Sequence, residues 1–281
     1  MIRRMFDLRQ IFHAMTVVLL FSLASCGSAP PRQPLALEKA KKADHEAHRA
    51  LRDGDLIRAR ELFNQSMLYQ MSLDNRTASA TAAINLSSVS HKLGDDSAAL
   101  GLLDGILADS TAQVPAELRA AAAFRKGIIL ADTGKIAEAE SALQLANQEC
   151  NKQCAYAPGM NNLRARLALD KGDFASALSA ANMVISAGAE KEEVANAHRI
   201  AAASETSLGH HEIALSHYQA ALGLDKGLAL SPRIAEDLKG ISSVLLKLGR
   251  NSEADIFAHR AEAVIAASRV LPGKAANKPI P

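Results

Sequence analysis

The chain has 281 residues, 48% of them hydrophobic but only 4% aromatic, with no Trp and a formal net charge of +2. So few aromatics argue against a β-sandwich or barrel, and abundant Ala, Leu, Lys and Glu favour a mostly helical chain. It is too apolar for disorder and, with a single long apolar run, it is not polytopic. The charge excess sits in residues 1–25, which carry three Arg and one Asp; the rest balances 29 basic against 29 acidic residues. A neutral body without a basic block gives no electrostatic reason to expect nucleic acid as a partner.

The chain opens with Arg3, Arg4 and Arg9 as a positive n-region, followed by an apolar run from Ala14 to Leu23. That run is too short for a comfortable permanent membrane span and reads as the core of a signal peptide over 1–25. It ends in Leu23-Ala24-Ser25-Cys26, and a stretch rich in Pro follows to Pro34. Leu-Ala-Ser-Cys resembles the lipobox of bacterial lipoproteins. The resemblance implies that Cys26 is lipidated, becomes the mature N-terminus and is then N-acylated. Several acyl chains make a durable membrane anchor where one chain binds only marginally. Residues 26–36 are then the lipidated N-terminus and a flexible tether. By analogy with enteric lipoproteins, Gly27 rather than Asp after the Cys points to the periplasmic face of the outer membrane, with the inner membrane as the alternative.

Beyond the tether the sequence repeats itself. Six of the sixteen Gly have Ala five positions later: Gly54/Ala59, Gly94/Ala99, Gly134/Ala139, Gly172/Ala177, Gly209/Ala214 and Gly249/Ala254. The Gly follow one another at 40, 40, 38, 37 and 40 residues, a register that chance does not supply. Each Gly is suited to the left-handed conformation that stops a helix. Asp55, Asp95 and Asp173 follow at once and can accept the orphan amides of the next helix. The Ala lies just over one turn into that helix, where a close crossing leaves no room for more. Phe63, Leu103, Leu143 and Tyr218 are expected to fill the seam.

First helices are predicted near 37–53, 77–93, 115–133, 158–171, 190–208 and 232–248. Second helices are predicted near 55–72, 95–108, 135–149, 173–187, 210–223 and 250–269, with turns between hairpins that include Gly227 to Pro232. The solenoid body thus covers 37–269, and 270–281 reads as a disordered tail. Segments such as Lys171-Gly-Asp-Phe-Ala-Ser-Ala-Leu178 and Ser207-Leu-Gly-His-His-Glu-Ile-Ala-Leu215 resemble the tetratricopeptide repeat (TPR). So do the small residues seven positions before each Gly: Ala47, Ser87, Gly127, Ala165, Ala202 and Ser242. The resemblance implies an all-α fold, an α-solenoid of about six TPR-like helical hairpins in a right-handed superhelix. Two departures are a mean period of 39 residues and the scarcity of repeat-ending Pro; another α-solenoid type is the alternative.

Chemistry is sparse. The His pair His45/His48 and the trio His210, His211 and His217 lack the His-Glu-x-x-His spacing and read as surface residues. No nucleophile elbow, phosphate loop or dinucleotide fingerprint occurs, so neither an enzyme, a cofactor nor a metal is expected. Cys150 and Cys154 are the thiols left once Cys26 is lipidated. In an oxidising compartment they are expected to close a disulfide that clamps the loop at mid-solenoid.

The TPR resemblance implies that first helices line an inner groove at positions 13, 10, 6 and 3 before the turn Gly. This places an apolar patch of Ile84, Phe124 and Ile128 beside a polar cluster of Asn162, Arg166, Asn196 and Arg199. Neutral donors and two guanidinium groups could grip a peptide carboxylate while the patch takes its side chains. The expected function is a lipid-anchored periplasmic scaffold or adaptor that binds a protein or peptide partner in envelope complexes. A pilotin-like, assembly-factor-like or enzyme-adaptor role would fit. The alternative is a periplasmic ligand-binding TPR protein associated with a transporter.

Overall fold

The computed structural model describes residues 34–109, 113–150 and 154–270; Cys26, the signal-peptide region and the tail from Leu271 lie outside the described residues. Twelve helices and no strands occur among the described residues. In chain order they are α1 (Leu35–Arg52), α2 (Leu56–Ser72), α3 (Arg76–Lys92), α4 (Asp96–Leu107), α5 (Ala116–Asp132) and α6 (Ile136–Glu149). The second half continues with α7 (Ala157–Asp170), α8 (Phe174–Ser186), α9 (Lys191–Ser207), α10 (His211–Gly227), α11 (Ser231–Lys247) and α12 (Asn251–Val270). They pair as six antiparallel hairpins, and each hairpin packs on the next.

The turn inside each hairpin follows from one Gly. All six repeat Gly have φ between 74° and 83°. At the second, Gly94 N–H bonds His91 O and Asp95 N–H bonds Ser90 O, which ends α3 in a Schellman-type turn. The Asp95 carboxylate then accepts from Ala98 N–H and starts α4; Asp55 and Asp173 do the same for α2 and α8. The six repeat Ala are fully buried where the two helices cross.

Apolar residues form clusters in series. Four are each shared by both helices of one hairpin and the first helix of the next, for example Ala123, Leu143 and Leu163 across α5, α6 and α7. The fifth joins only α10, α11 and α12. The α9–α10 seam between them is packed by alanines, with Ala201, Ala202, Ala214 and Ala221 fully buried.

Helix bounds match the sequence expectation within two residues except at α10. That helix runs to Gly227, four residues past 223, and its turn falls on Leu228–Leu230 with Ala229 at φ 55°. The extra turn of helix carries Asp225 into the interior, where it accepts a hydrogen bond from Arg199. Tyr218, expected to fill the seam, is instead only half-buried and turns into a cleft.

Candidate functional site

A cleft of about 790 Å³ runs across the first helices of hairpins three to six, α5, α7, α9 and α11, with Tyr218 of α10 entering from the side. Phe124, Ile128, Leu163, Ile200 and Tyr218 give it apolar surface. Two glycines let the aromatic rings lie against helix backbone. A Cβ on Gly159 would stand 2.7 Å from Phe124 Cζ, and one on Gly240 would stand 2.4 Å from Tyr218 Cε1. Any side chain at either Gly would push the ring away.

Charged groups on the cleft are mostly committed to one another. His91 Nδ1 lies 2.5 Å from Asp96 Oδ1, and His91 Nε2 lies 2.9 Å from Asp132 Oδ2. Arg166 Nη1 donates to the other oxygen of Asp132. This ladder ties α3, α5 and α7 together along their first-helix faces. Burial works against the charge on Asp132, but hydrogen bonds from Arg166 and His91 outweigh it and hold the carboxyl below its usual range. Burial likewise lowers His91, and its two carboxylate partners more than compensate, leaving it raised.

Arg199 sits deeper. Its Nη1 donates to Asp225 and, at 3.2 Å, to Asp237 Oδ1, while Nη2 donates to Asn196 Oδ1. Asp225 and Asp237 are fully buried. One guanidinium therefore faces two carboxylates, and one oxygen of each, Asp225 Oδ1 and Asp237 Oδ2, has no hydrogen-bond partner. Burial pushes the Asp237 carboxyl up to about 7 against the pull of Arg199. The pair can then share one proton.

Six of the seven groove residues expected from the spacing line this one cleft: Phe124, Ile128, Asn162, Arg166, Asn196 and Arg199. Ile84 does not. It packs against the α3–α5 cluster of Ala80, Leu103 and Ile129, where more apolar surface is on offer. The expected chemistry also needs correcting. Arg166 and Arg199 are not free to grip a carboxylate, because Asp132, Asp225 and Asp237 already occupy them. Asn162 is buried and spends its amide on Glu193 O and Oε2, at 2.9 and 2.7 Å.

The unexpected lining residues are Glu193, Tyr218, Arg233, Glu236, Lys239 and Ser243. Glu236, Lys239 and Ser243 lie 13, 10 and 6 residues before Gly249, so the same spacing carried into the sixth repeat finds them. Tyr218 belongs to a second helix and carries no such signal. Arg233 pairs with Glu236 at 2.8 Å.

His217 is not on a polar surface: its Nδ1 lies 2.9 Å from His198 Nδ1 in the α9–α10 seam, and both rings are half-buried. Cys150 and Cys154 are joined in a disulfide with Cα atoms 5.4 Å apart, at the end of α6 and just before α7.

No protein-family model and no curated protein matches the sequence. Solved structures do match. A Rap protein complexed with competence and sporulation factor superposes with a TM-score of 0.60 at 16% identity, over 83% of this chain and 67% of that one. BtubC from P. vanneervenii gives 0.58 at 14% identity, over 85% and 94%. A tetratricopeptide repeat protein from Parabacteroides merdae gives 0.53 at 13% identity, over 80% of each. The fold is the tetratricopeptide-repeat solenoid. Its longer period is taken up by the connections between hairpins, such as the one from Ala108 to Pro115, rather than by a different helix packing.

Proposed function

We propose that this chain is a lipid-anchored, periplasm-facing TPR scaffold that holds a protein partner in the cleft of hairpins three to six. The carrying observation is the cleft itself: four successive first helices contribute to one continuous surface of about 790 Å³. Such a surface suits an extended segment that meets one repeat after another. With the guanidinium groups neutralised internally, recognition rests on the apolar strip of Phe124, Ile128, Leu163, Ile200 and Tyr218 rather than on a carboxylate clamp. The partner's apolar side chains supply the affinity, and the ladder residues at the rim set the register. One solved structure of the same fold, the Rap protein, is a complex with competence and sporulation factor.

The anchor and the location rest on the lipobox-like Leu23-Ala24-Ser25-Cys26 and on Gly27. No helix among the described residues is long and apolar enough to cross a membrane. Attachment therefore falls to the acylated Cys26. Mass spectrometry of the mature protein should find an N-terminus at a diacylglyceryl Cys26; an unmodified Cys26, or a retained segment 1–25, overturns this part.

The partner site is tested by photocrosslinking in cells from residues placed at Phe124 and at Ser243, near opposite ends of the cleft. One protein captured from both positions, and lost with Ile200→Glu, supports the scaffold. The cleft volume also falls in the range of small-molecule sites, and this favours a second reading as a ligand-binding protein. A small molecule that co-purifies and is lost with Ile200→Glu, without any protein captured, selects that reading.

A further inference from the structure

Hairpin five departs from the rule kept by its five neighbours. Eleven residues before each turn Gly and eight after it, the first and second helices face each other across the seam. The residue pairs at those positions are Ala43/Leu62, Ala83/Leu102, Ala123/Ala142, Asn161/Ala180, His198/His217 and Leu238/Phe257. Five hairpins put an apolar or small residue on at least one side, and four put one on both. Only hairpin five places two imidazoles there. A seam built for stability alone would carry Ala and Leu, as hairpins one and two do. The substitution removes apolar surface and half-buries two polar rings.

The rings are aligned for a purpose beyond packing. His198 Nδ1 and His217 Nδ1 point at each other across 2.9 Å, with ring centroids 5.2 Å apart. Burial lowers both pKa values, and the neighbouring ring lowers His198 further, so both nitrogens stay neutral near pH 7. Neutral imidazole is the form that ligates a metal. Two nitrogens bound to one ion at about 2.05 Å lie about 2.9 Å apart when the N–metal–N angle is a right angle, and about 3.3 Å apart in a tetrahedron. The observed separation fits the right angle, which belongs to tetragonal ions.

We propose that His198 and His217 form a two-histidine site for a divalent transition metal of tetragonal preference, Cu2+ or Ni2+, with water completing the shell. The half-buried rings leave access from solvent. The ion bridges α9 to α10 at the seam that lacks a shared apolar cluster, and so reinforces the solenoid there. Glu205, engaged by His210 at 2.7 Å, keeps a negative charge near His217 and favours the cation.

The test is a Ni2+ titration of the full-length protein in detergent, read by thermal unfolding. At free metal about tenfold over its dissociation constant, Tm should rise by about 3–6 °C. The rise should vanish in His198→Gln and in His217→Gln, and persist in a His45→Gln, His48→Gln control. His217→Leu restores the residue found in hairpins one and two, so it keeps the fold while removing the ligand; it too should lose the rise. With Cu2+, electron paramagnetic resonance should show two equatorial nitrogens, falling to one in either single variant. No saturable response in the wild type, or one that survives these substitutions, overturns the site and leaves a plain Nδ1–H···Nδ1 hydrogen bond.

Discussion

Asp237→Asn isolates the electrostatics of the buried triad. Asp237 is fully buried on α11, and its only hydrogen-bond donor on the protein is the Arg199 guanidinium that it shares with Asp225. Burial raises its pKa to about 7, whereas an unfolded Asp titrates near 4. Between those values the folded protein keeps the proton and the unfolded chain has lost it. Stability from this group is therefore fully present below about pH 4 and is lost as pH rises through about 7. The raised value corresponds to about 4 kcal/mol across that window as an upper bound, a large fraction of a typical domain's stability. Asn is neutral throughout and still donates toward Asp225. Urea denaturation followed by far-UV circular dichroism, from about pH 4 to about pH 8, should show the wild type losing stability relative to Asp237→Asn as pH rises. Every other group titrates alike in both proteins, so the difference belongs to this carboxyl. Parallel profiles would refute the argument and show Asp237 ionised throughout. Arg199→Ala should destabilise near neutral pH by about 3–5 kcal/mol, because two carboxylates lose their only countercharge.

Gly240→Ala should gain about 1 kcal/mol of helix propensity but lose about 1–3 kcal/mol by displacing the Tyr218 ring, and should become stabilising in a Tyr218→Ala background; a double-mutant cycle by chemical denaturation checks it. Ala229→Gly relieves a left-handed residue at the end of α10 and should stabilise by about 1 kcal/mol, with the midpoint of urea unfolding as the readout. Reduction of Cys150–Cys154, or its Ser/Ser variant, should cost about 2 kcal/mol in the chain-entropy account of so short a loop. An unchanged midpoint under reductant would show that α6 and α7 already fix this connection.

The hairpins were legible because a helix-stopping Gly and a close-crossing Ala are local demands, and each repeat restates them. The same spacing finds Phe124, Ile128, Asn162, Arg166, Asn196 and Arg199, since a stacked repeat presents equivalent positions to one side. What those side chains do was not legible. Asp225 and Asp237 lie 26 and 38 residues from Arg199, and Asp132 lies 34 from Arg166; such pairings depend on how neighbouring hairpins rotate, which no local spacing encodes. Asp225 was further hidden because Gly223 and Gly227 on either side of it read as a turn, whereas burial of Leu222 and the Arg199 contact carry the helix through. The seam Ala and Leu of other hairpins gave no warning of His198 facing His217, although alignment of the six repeats exposes the exception.

These observations meet at one place in the solenoid. Up to α9 each apolar cluster is shared with the next hairpin, which couples neighbours strongly; across α9–α10 the coupling falls to alanine contacts, a buried ion cluster and two imidazoles. Ala buries little area per residue, and the buried charges return little net stability after desolvation. In a linear array the weakest interface sets where the structure opens. Amides of α10, α11 and α12 should therefore exchange with solvent as a unit, distinct from α1 to α8. Hydrogen exchange read by mass spectrometry should show two protection levels that divide at Gly209. Raising pH from about 5 to about 8 should widen the gap, once intrinsic exchange rates are corrected for, as Asp237 loses its proton. A single protection level along the chain at both pH values would refute the weak seam, since the cleft, the triad and the histidine pair would then sit in one cooperative block.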